Sequence, residues 1–185
     1  MSAGHHIEGQ NKKVALLIAV LAACLALSET LGKSAQTDAL SDNIEASNLW
    51  AFFQAKTIRV AVLRASTERL EFDKADETPR EDRTKIQLER WASTLARLDS
   101  EPETQEGRKQ LSARAKAAEG RRDLSLARYH HYEVASAAIQ IAIVLASATV
   151  ITSVWLLAWL AAGLGIAGVL LTAVGFWAPH SLHLF

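Results

Sequence analysis

Apolar positions are distributed along the chain in two different ways. In residues 14–32, 134–152 and about 155–177 they run almost without interruption, whereas between the first and second of these runs they recur singly among charges. A hydrocarbon layer about 30 Å thick takes about 20 residues of helix at 1.5 Å rise each, and backbone groups in lipid must bond within their own segment. Each run therefore predicts a membrane-spanning helix. From residue 134 to residue 178 there is no formal charge, enough for two spans joined by a tight turn near Thr152, Ser153 and Trp155.

Between the first two runs the period is helical. Leu40, Ile44, Ser47, Ala51, Ala55, Ile58, Val62, Ala65 and Phe72 step mostly by three or four, and no Gly or Pro interrupts residues 34–78, so the first span is expected to continue outward as one helix. Pro79 ends it, with Thr78 displaced from helical geometry by the following ring. A second pattern, Leu88, Trp91, Leu95 and Leu98, stops at Asp99-Ser100-Glu101-Pro102, and a third, Leu111, Ala115, Ala118, Leu126 and Tyr129, leads into the second span. At helical rise the outward arm covers about 67 Å, the last arm about 46 Å and the middle helix about 28 Å, so a three-part return closes the insert. The fold class expected is all-α: three transmembrane helices with an elongated extramembrane helical hairpin. The boundaries are an N-terminal tail 1–13, first span 14–32, hairpin 33–133, a membrane pair 134–177 and a C-terminal tail 178–185.

Charge sharpens this division. The 20 basic and 20 acidic residues cancel, but 18 of each fall in residues 33–133, leaving Lys12, Lys13, Glu8 and Glu29 for the rest. A balanced charge gives no electrostatic basis for nucleic-acid binding. One cysteine, Cys24, excludes an internal disulfide framework. Leu21-Ala22-Ala23-Cys24 matches a lipoprotein box, yet hydrophobicity continues through Leu25, Ala26 and Leu27, so an uncleaved helix is expected.

Within the spans, small residues recur on one helical face. Ala161, Gly165, Gly168, Thr172 and Gly175 form such a stripe in the third span, Ala135, Ala138, Ala142, Ala146, Thr149 and Ser153 in the second, and Ala15, Ala19, Ala22 and Ala26 in the first. Such stripes let backbones approach closely where lipid removes the hydrophobic drive; contact between copies of the chain is the expected use. Trp155, Trp159 and Trp177 fit anchoring at the membrane surface, and His130 and His131 an interfacial position. Gln140 and Glu29 are polar at membrane depth but neither is central.

The stretch Glu45-Ala46-Ser47-Asn48-Leu49-Trp50-Ala51-Phe52-Phe53-Gln54-Ala55-Lys56, just after a first membrane helix and ahead of a terminal membrane hairpin, resembles a bacterial family of uncharacterised integral membrane proteins. The resemblance covers nearly the whole chain. It implies a multi-pass protein of the bacterial inner membrane and implies no activity. In this chain the turn at 152–159 is uncharged, a departure from the basic turn of that family. Asn48, Trp50, Phe53, Gln54 and Lys56 make the best candidate surface for a partner or a second copy; the structural alternative is an interhelical layer in which Trp50 and Phe53 pack while Asn48 and Gln54 fix register.

No catalytic constellation, glycine-rich phosphate loop or metal-ligand spacing is present in the sequence: adjacent His130 and His131 point about 100° apart on a helix, and the pairs His5 with His6 and His180 with His183 stand in the tails. No enzyme activity, metal or cofactor is expected. Lys12 and Lys13 favour a cytoplasmic N-terminus and hence a periplasmic insert. The expectation is a noncatalytic membrane scaffold or accessory subunit, homo-oligomeric, in contact with lipid and within reach of a larger membrane complex. An oligomeric channel with the insert as vestibule is the alternative, in which Gln140, Thr149, Thr152, Ser153 and Thr172 would have to line the path.

Overall fold

The computed structural model describes residues 3–73 and 81–179, with side-chain detail over 12–72 and 83–179. Thr78, Pro79, His180 and His183, and the side chains of His5 and His6, lie outside the described residues. The fold is all-α, with four helices: α1 (Ala3–Asp73), α2 (Glu81–Asp99), α3 (Arg108–Thr152) and α4 (Trp155–Trp177). The outward continuation of the first span, the stop at Asp99 and the bounds of the last span are as the periodicity predicts. Three of the helices, α1, α3 and α4, contain stretches long and apolar enough to cross a membrane.

The chain divides into two units, residues 1–40 with 122–185 and residues 41–121. In the first, α1, α3 and α4 form a bundle whose interior is made of small residues. Ala135, Ala142, Ala146 and Ala161 are fully buried, while Leu16, Val144, Leu156, Trp159, Ile166 and Leu170 are exposed. This inverts the arrangement of a water-soluble bundle and suits a hydrocarbon solvent. Two apolar clusters hold the interior, Val14 with Ala146 and Ala161, and Leu21 with Ile139 and Ala142. Cys24 packs at the edge of the second.

The α4 stripe is occupied within the chain. A Cβ at Gly168 would stand 2.6 Å from Ile139 Cγ1 and 3.0 Å from the Ala135 carbonyl oxygen, one at Gly175 would stand 2.8 Å from His131 Cβ, and one at Gly165 would strike Leu21. The stripe expected to join copies of the chain therefore joins α4 to α1 and α3 instead. Ala161, Gly165, Gly168 and Gly175 are buried, and Thr172 is half-buried. The α4 stripe and the Ala135–Thr149 part of the α3 stripe close the bundle, whereas the α1 stripe, Ala15, Ala19, Ala22 and Ala26, is exposed; α1 enters the interior through Val14, Leu21 and Ser28 instead.

The turn between α3 and α4 uses neither Gly nor Pro. Ser153 takes φ 57, in the left-handed region, with its N–H donated to the Thr149 carbonyl at 2.9 Å. A short polar side chain tolerates this geometry better than the β-branched residues on either side would.

In the second unit, α1 and α3 pack through a seven-residue pattern: Ala46, Leu49, Lys56 and Val60 are buried on α1, and Leu111, Ala115 and Ala118 on α3. Leu98 is the most buried residue of the α2 pattern. Between α2 and α3, Gly107 is buried where a Cβ would strike Gln110 Oε1 and the Glu101 backbone. The amide of Gln110 thereby accepts the Glu101 N–H at 3.3 Å and donates to Ser100 Oγ at 3.1 Å.

Gly163 offers a control for the membrane bundle, because a Cβ there meets nothing within 4 Å. Gly168→Leu should destabilise the detergent-solubilised protein by about 1–3 kcal/mol through overpacking, lowering its thermal unfolding midpoint. Gly163→Leu should leave the midpoint unchanged; equal midpoints for the two variants would remove Gly168 from the helix contact.

Candidate functional site

Two polar regions outside the lipid-like interior could carry chemistry. In the insert, the motif residues follow one another along α1, so their faces are fixed by helical spacing. Trp50 and Phe53 lie against the buried cluster Leu49, Leu111 and Ala115, with their rings edge to face at 5.4 Å between centroids. Trp50 Nε1 donates to Glu119 Oε1 at 2.8 Å. Lys56 is buried, its Nζ 5.0 Å from the Phe52 ring centroid and 3.9 and 3.8 Å from carboxylate oxygens of Glu101 and Glu106. Arg108 stacks over Phe53 at 5.3 Å and approaches Asp99 at 3.7 Å.

These contacts make the Trp50–Lys56 segment an interhelical layer. Each aromatic ring and each cation of the motif has a partner on the same chain, which uses up the groups a ligand would need. The expected roles of Asn48 and Gln54 change: both are exposed, so register is set by other groups. Glu119 fixes Trp50. Arg121 donates from Nε to Asp42 at 2.9 Å and from Nη2 to Glu45 at 2.6 Å. The guanidinium stays protonated more firmly than an isolated one, chiefly through the Asp42 hydrogen bond, and desolvation opposes this only in part. Neither Glu119 nor Arg121 stands out in the sequence, since each is one charge among many. A charge opposite an insert aromatic that needs a hydrogen-bond acceptor was the available signal.

The second region lies in the membrane unit. Ser28, fully buried on α1, donates to the Tyr132 carbonyl at 3.3 Å and accepts from Ser136 Oγ at 3.1 Å. Thr172 Oγ1 lies 3.3 Å from Ser28 Oγ and 3.0 Å from the Gly168 carbonyl, between which its single proton divides. One serine thus ties all three helices. Next to it Gln140 Nε2 donates to Glu29 Oε1 at 3.1 Å. Glu29, Lys33, Tyr129, Tyr132, Glu133 and Gln140 help to line a groove of about 470 Å³ between α1 and α3.

The two adjacent histidines have different partners. His130 Nδ1 lies 3.7 Å from Glu133 Oε2 at the surface. His131 is buried, and its Nε2 lies 3.1 Å from the Pro179 carbonyl oxygen. A carbonyl only accepts, so Nε2 carries a proton, while the buried Nδ1 has no hydrogen-bond partner among the described residues. Trp155, Trp159 and Trp177 are exposed at the two ends of α4. Lys13 shares a shallow groove with Trp155 and Trp159. The hydroxyls considered for a pore are bonded locally: Thr149 to the Leu145 carbonyl at 3.0 Å and Thr152 to the Ala148 carbonyl at 2.8 Å.

A family model described as a domain of unknown function, DUF4337, matches residues 10–178. The chain belongs to the DUF4337 family. The match takes in both units, so the polar groove and the aromatic layer both belong to the DUF4337 domain. No curated protein and no solved structure matches the chain.

Removing the Trp50 acceptor is the direct measure of the insert layer. Glu119→Ala should lower stability by about 1–2 kcal/mol, the loss expected for a part-buried hydrogen bond to a charged group. Glu119→Gln keeps an acceptor and should recover most of it. Equal unfolding midpoints for wild type and Glu119→Ala would show that the indole bond does not hold the helices.

Proposed function

We propose that the chain is a noncatalytic integral membrane scaffold or accessory subunit that self-assembles and presents its helical insert outside the bilayer. The observation that carries this is the face of α1 left open in the insert. Ile44, Ser47, Ala51, Ala55, Ile58, Val62 and Ala65 share one side of the helix, and every one of them is exposed. Ile58 is 64% exposed and Val62 60%. The charged residues between Leu40 and Ala65 stand off the stripe, which carries no charge of its own until Arg69 ends it, and the amides of Asn48 and Gln54 flank it.

Such a face in water favours burial, at about 25 cal/mol per Å² of apolar area. A copy of itself fits it: two neutral faces meet without like-charge conflict, and Ser47, Ala51 and Ala55 at the centre allow close approach. The opposite face of the same helix, with Lys56 and Leu49, is already held by α3. One side of α1 thus builds the subunit; the other is exposed from Ile44 to Ala55 and, at Ile58 and Val62, borders a groove shared with Trp91 and Leu98 of α2.

Placement in a bacterial inner membrane, with the N-terminus cytoplasmic and the insert periplasmic, belongs to the same proposal. Lys12 and Lys13 before the first span support the orientation. Thr149 and Thr172 face the helices of their own chain, the first buried and the second against Ser28, which favours the scaffold over the channel.

Light scattering in detergent tests the assembly. The wild type should give a mass of two or more subunits, and the Ile44→Lys, Ile58→Lys double variant a single subunit with unchanged helicity and melting, because both side chains are exposed in the isolated chain. A monomeric wild type, or a double variant of unaltered mass, overturns self-assembly through this face.

A further inference from the structure

The groove between α1 and α3 in the membrane unit lies where the chain changes solvent. On α1, Lys33 is the first charged residue after Glu29, and on α3, Glu133 is the last charge before the uncharged residues 134–178. Lys13 and Lys33 are 20 residues apart, about 30 Å of helix, which matches the thickness of a hydrocarbon core. The groove therefore sits at headgroup level on the side of Lys33.

Its walls carry both signs of charge. Glu29 and Glu133 supply two carboxylates and Lys33 one ammonium, and Tyr132 closes the floor where Gly32 brings a would-be Cβ within 3.3 Å of Tyr132 Cβ. Glu29 is held by Gln140, and Glu133 accepts from Tyr129 Oη at 3.4 Å. Each hydrogen bond uses one oxygen of its carboxylate and leaves lone pairs free. The ring of Tyr129, partly exposed, adds a face that attracts a cation, while that of Tyr132 is buried against Gly175. Below Gln140 the exposed surface of α3 is apolar, with Ile141 and Val144 outward.

We propose that this groove binds the headgroup of a phospholipid bearing a primary amine, with the ammonium between Glu29 and Glu133, the phosphate on Lys33 and the acyl chains along the apolar surface beyond Gln140. A primary ammonium offers three N–H donors to two carboxylates and the tyrosine oxygens, whereas an anionic glycerol headgroup would meet two carboxylates and one lysine. Specificity comes from that mismatch as much as from the match. The proposal rests on the membrane placement of this unit and is independent of self-assembly through the insert.

Native mass spectrometry of the full chain in detergent, with phosphatidylethanolamine, phosphatidylglycerol or soluble O-phosphoethanolamine added, tests it. Wild type should retain phosphatidylethanolamine several-fold more than phosphatidylglycerol. Glu29→Gln, which can keep the Gln140 contact, combined with Glu133→Gln should abolish that preference, while Lys13→Gln at the other end of the span should not. Equal retention of the two lipids by wild type, or a preference untouched by the double variant, overturns the site. Displacement of the lipid by equimolar O-phosphoethanolamine overturns the amphiphile as ligand, and its failure to displace supports it. The subunit count in the same spectra reports self-assembly separately.

Discussion

Everything in the unit of three apolar helices depends on how closely they can approach, since helices long and apolar enough to cross a membrane would have no water there to drive them together. Apolar side chains gain nothing by leaving lipid for one another, so contact must come from dispersion between well-fitted surfaces and from polar groups that lack any other partner. Gly168, set against Ile139 and the Ala135 carbonyl, and Gly165, set against Leu21, show this. That approach brings Thr172 close enough to Ser28 for a hydroxyl contact, and Ser28 in turn reaches Ser136 and the Tyr132 carbonyl. Val14, Leu21 and Ile139 fill what space the close approach leaves, and most of the other large residues face outward.

In the insert the same spacing of buried positions meets water, and its chemistry changes accordingly. Alanine still permits close contact at Ala46, Ala115 and Ala118, but the layer between them is completed by an indole bonded to a carboxylate and by cations over aromatic rings. Exposed ion pairs contribute little singly. Lys56 differs because its side chain is only 9% exposed and two carboxylates lie near it. A buried ammonium is tolerated there as part of a network, which explains a lysine at a position whose neighbours in the repeat, Leu49 and Val60, are apolar.

Helix number, the uninterrupted α1 and the bounds of α4 were legible because long apolar runs and the absence of Gly and Pro are strong signals. The partners of each face were not. On α1 the conspicuous stripe is Ile44, Ile58 and Val62, yet the buried one is Ala35, Ala39, Ala46 and Leu49. Alanine contributes little to a hydropathy pattern, so a face chosen for closeness is quieter than a face chosen for apolar area. The α4 stripe was visible for the same residues, but spacing alone cannot distinguish a helix of the same chain from one of another. Gly107 looked isolated because its role depends on Gln110 and Glu101 meeting across a loop.

The two faces of α1 also divide the aromatic motif between contacts within the chain and an exposed surface. A helix that packs on one side and remains open on the other must divide its residues by face, so adjacent motif members have opposite fates. Trp50, Phe53 and Lys56 turn toward α3, whereas Asn48, Ala51, Gln54 and Ala55 turn away from it. The segment Asn48 to Lys56 is thus one stretch of sequence under two constraints. Its aromatic and charged members hold the subunit together, and its small and amide-bearing members leave a smooth neutral surface on the far side. Any substitution in the motif has to be assigned to a face before its effect can be interpreted, because loss of Trp50 removes a contact within the chain and loss of Ala51 alters only what can approach from outside.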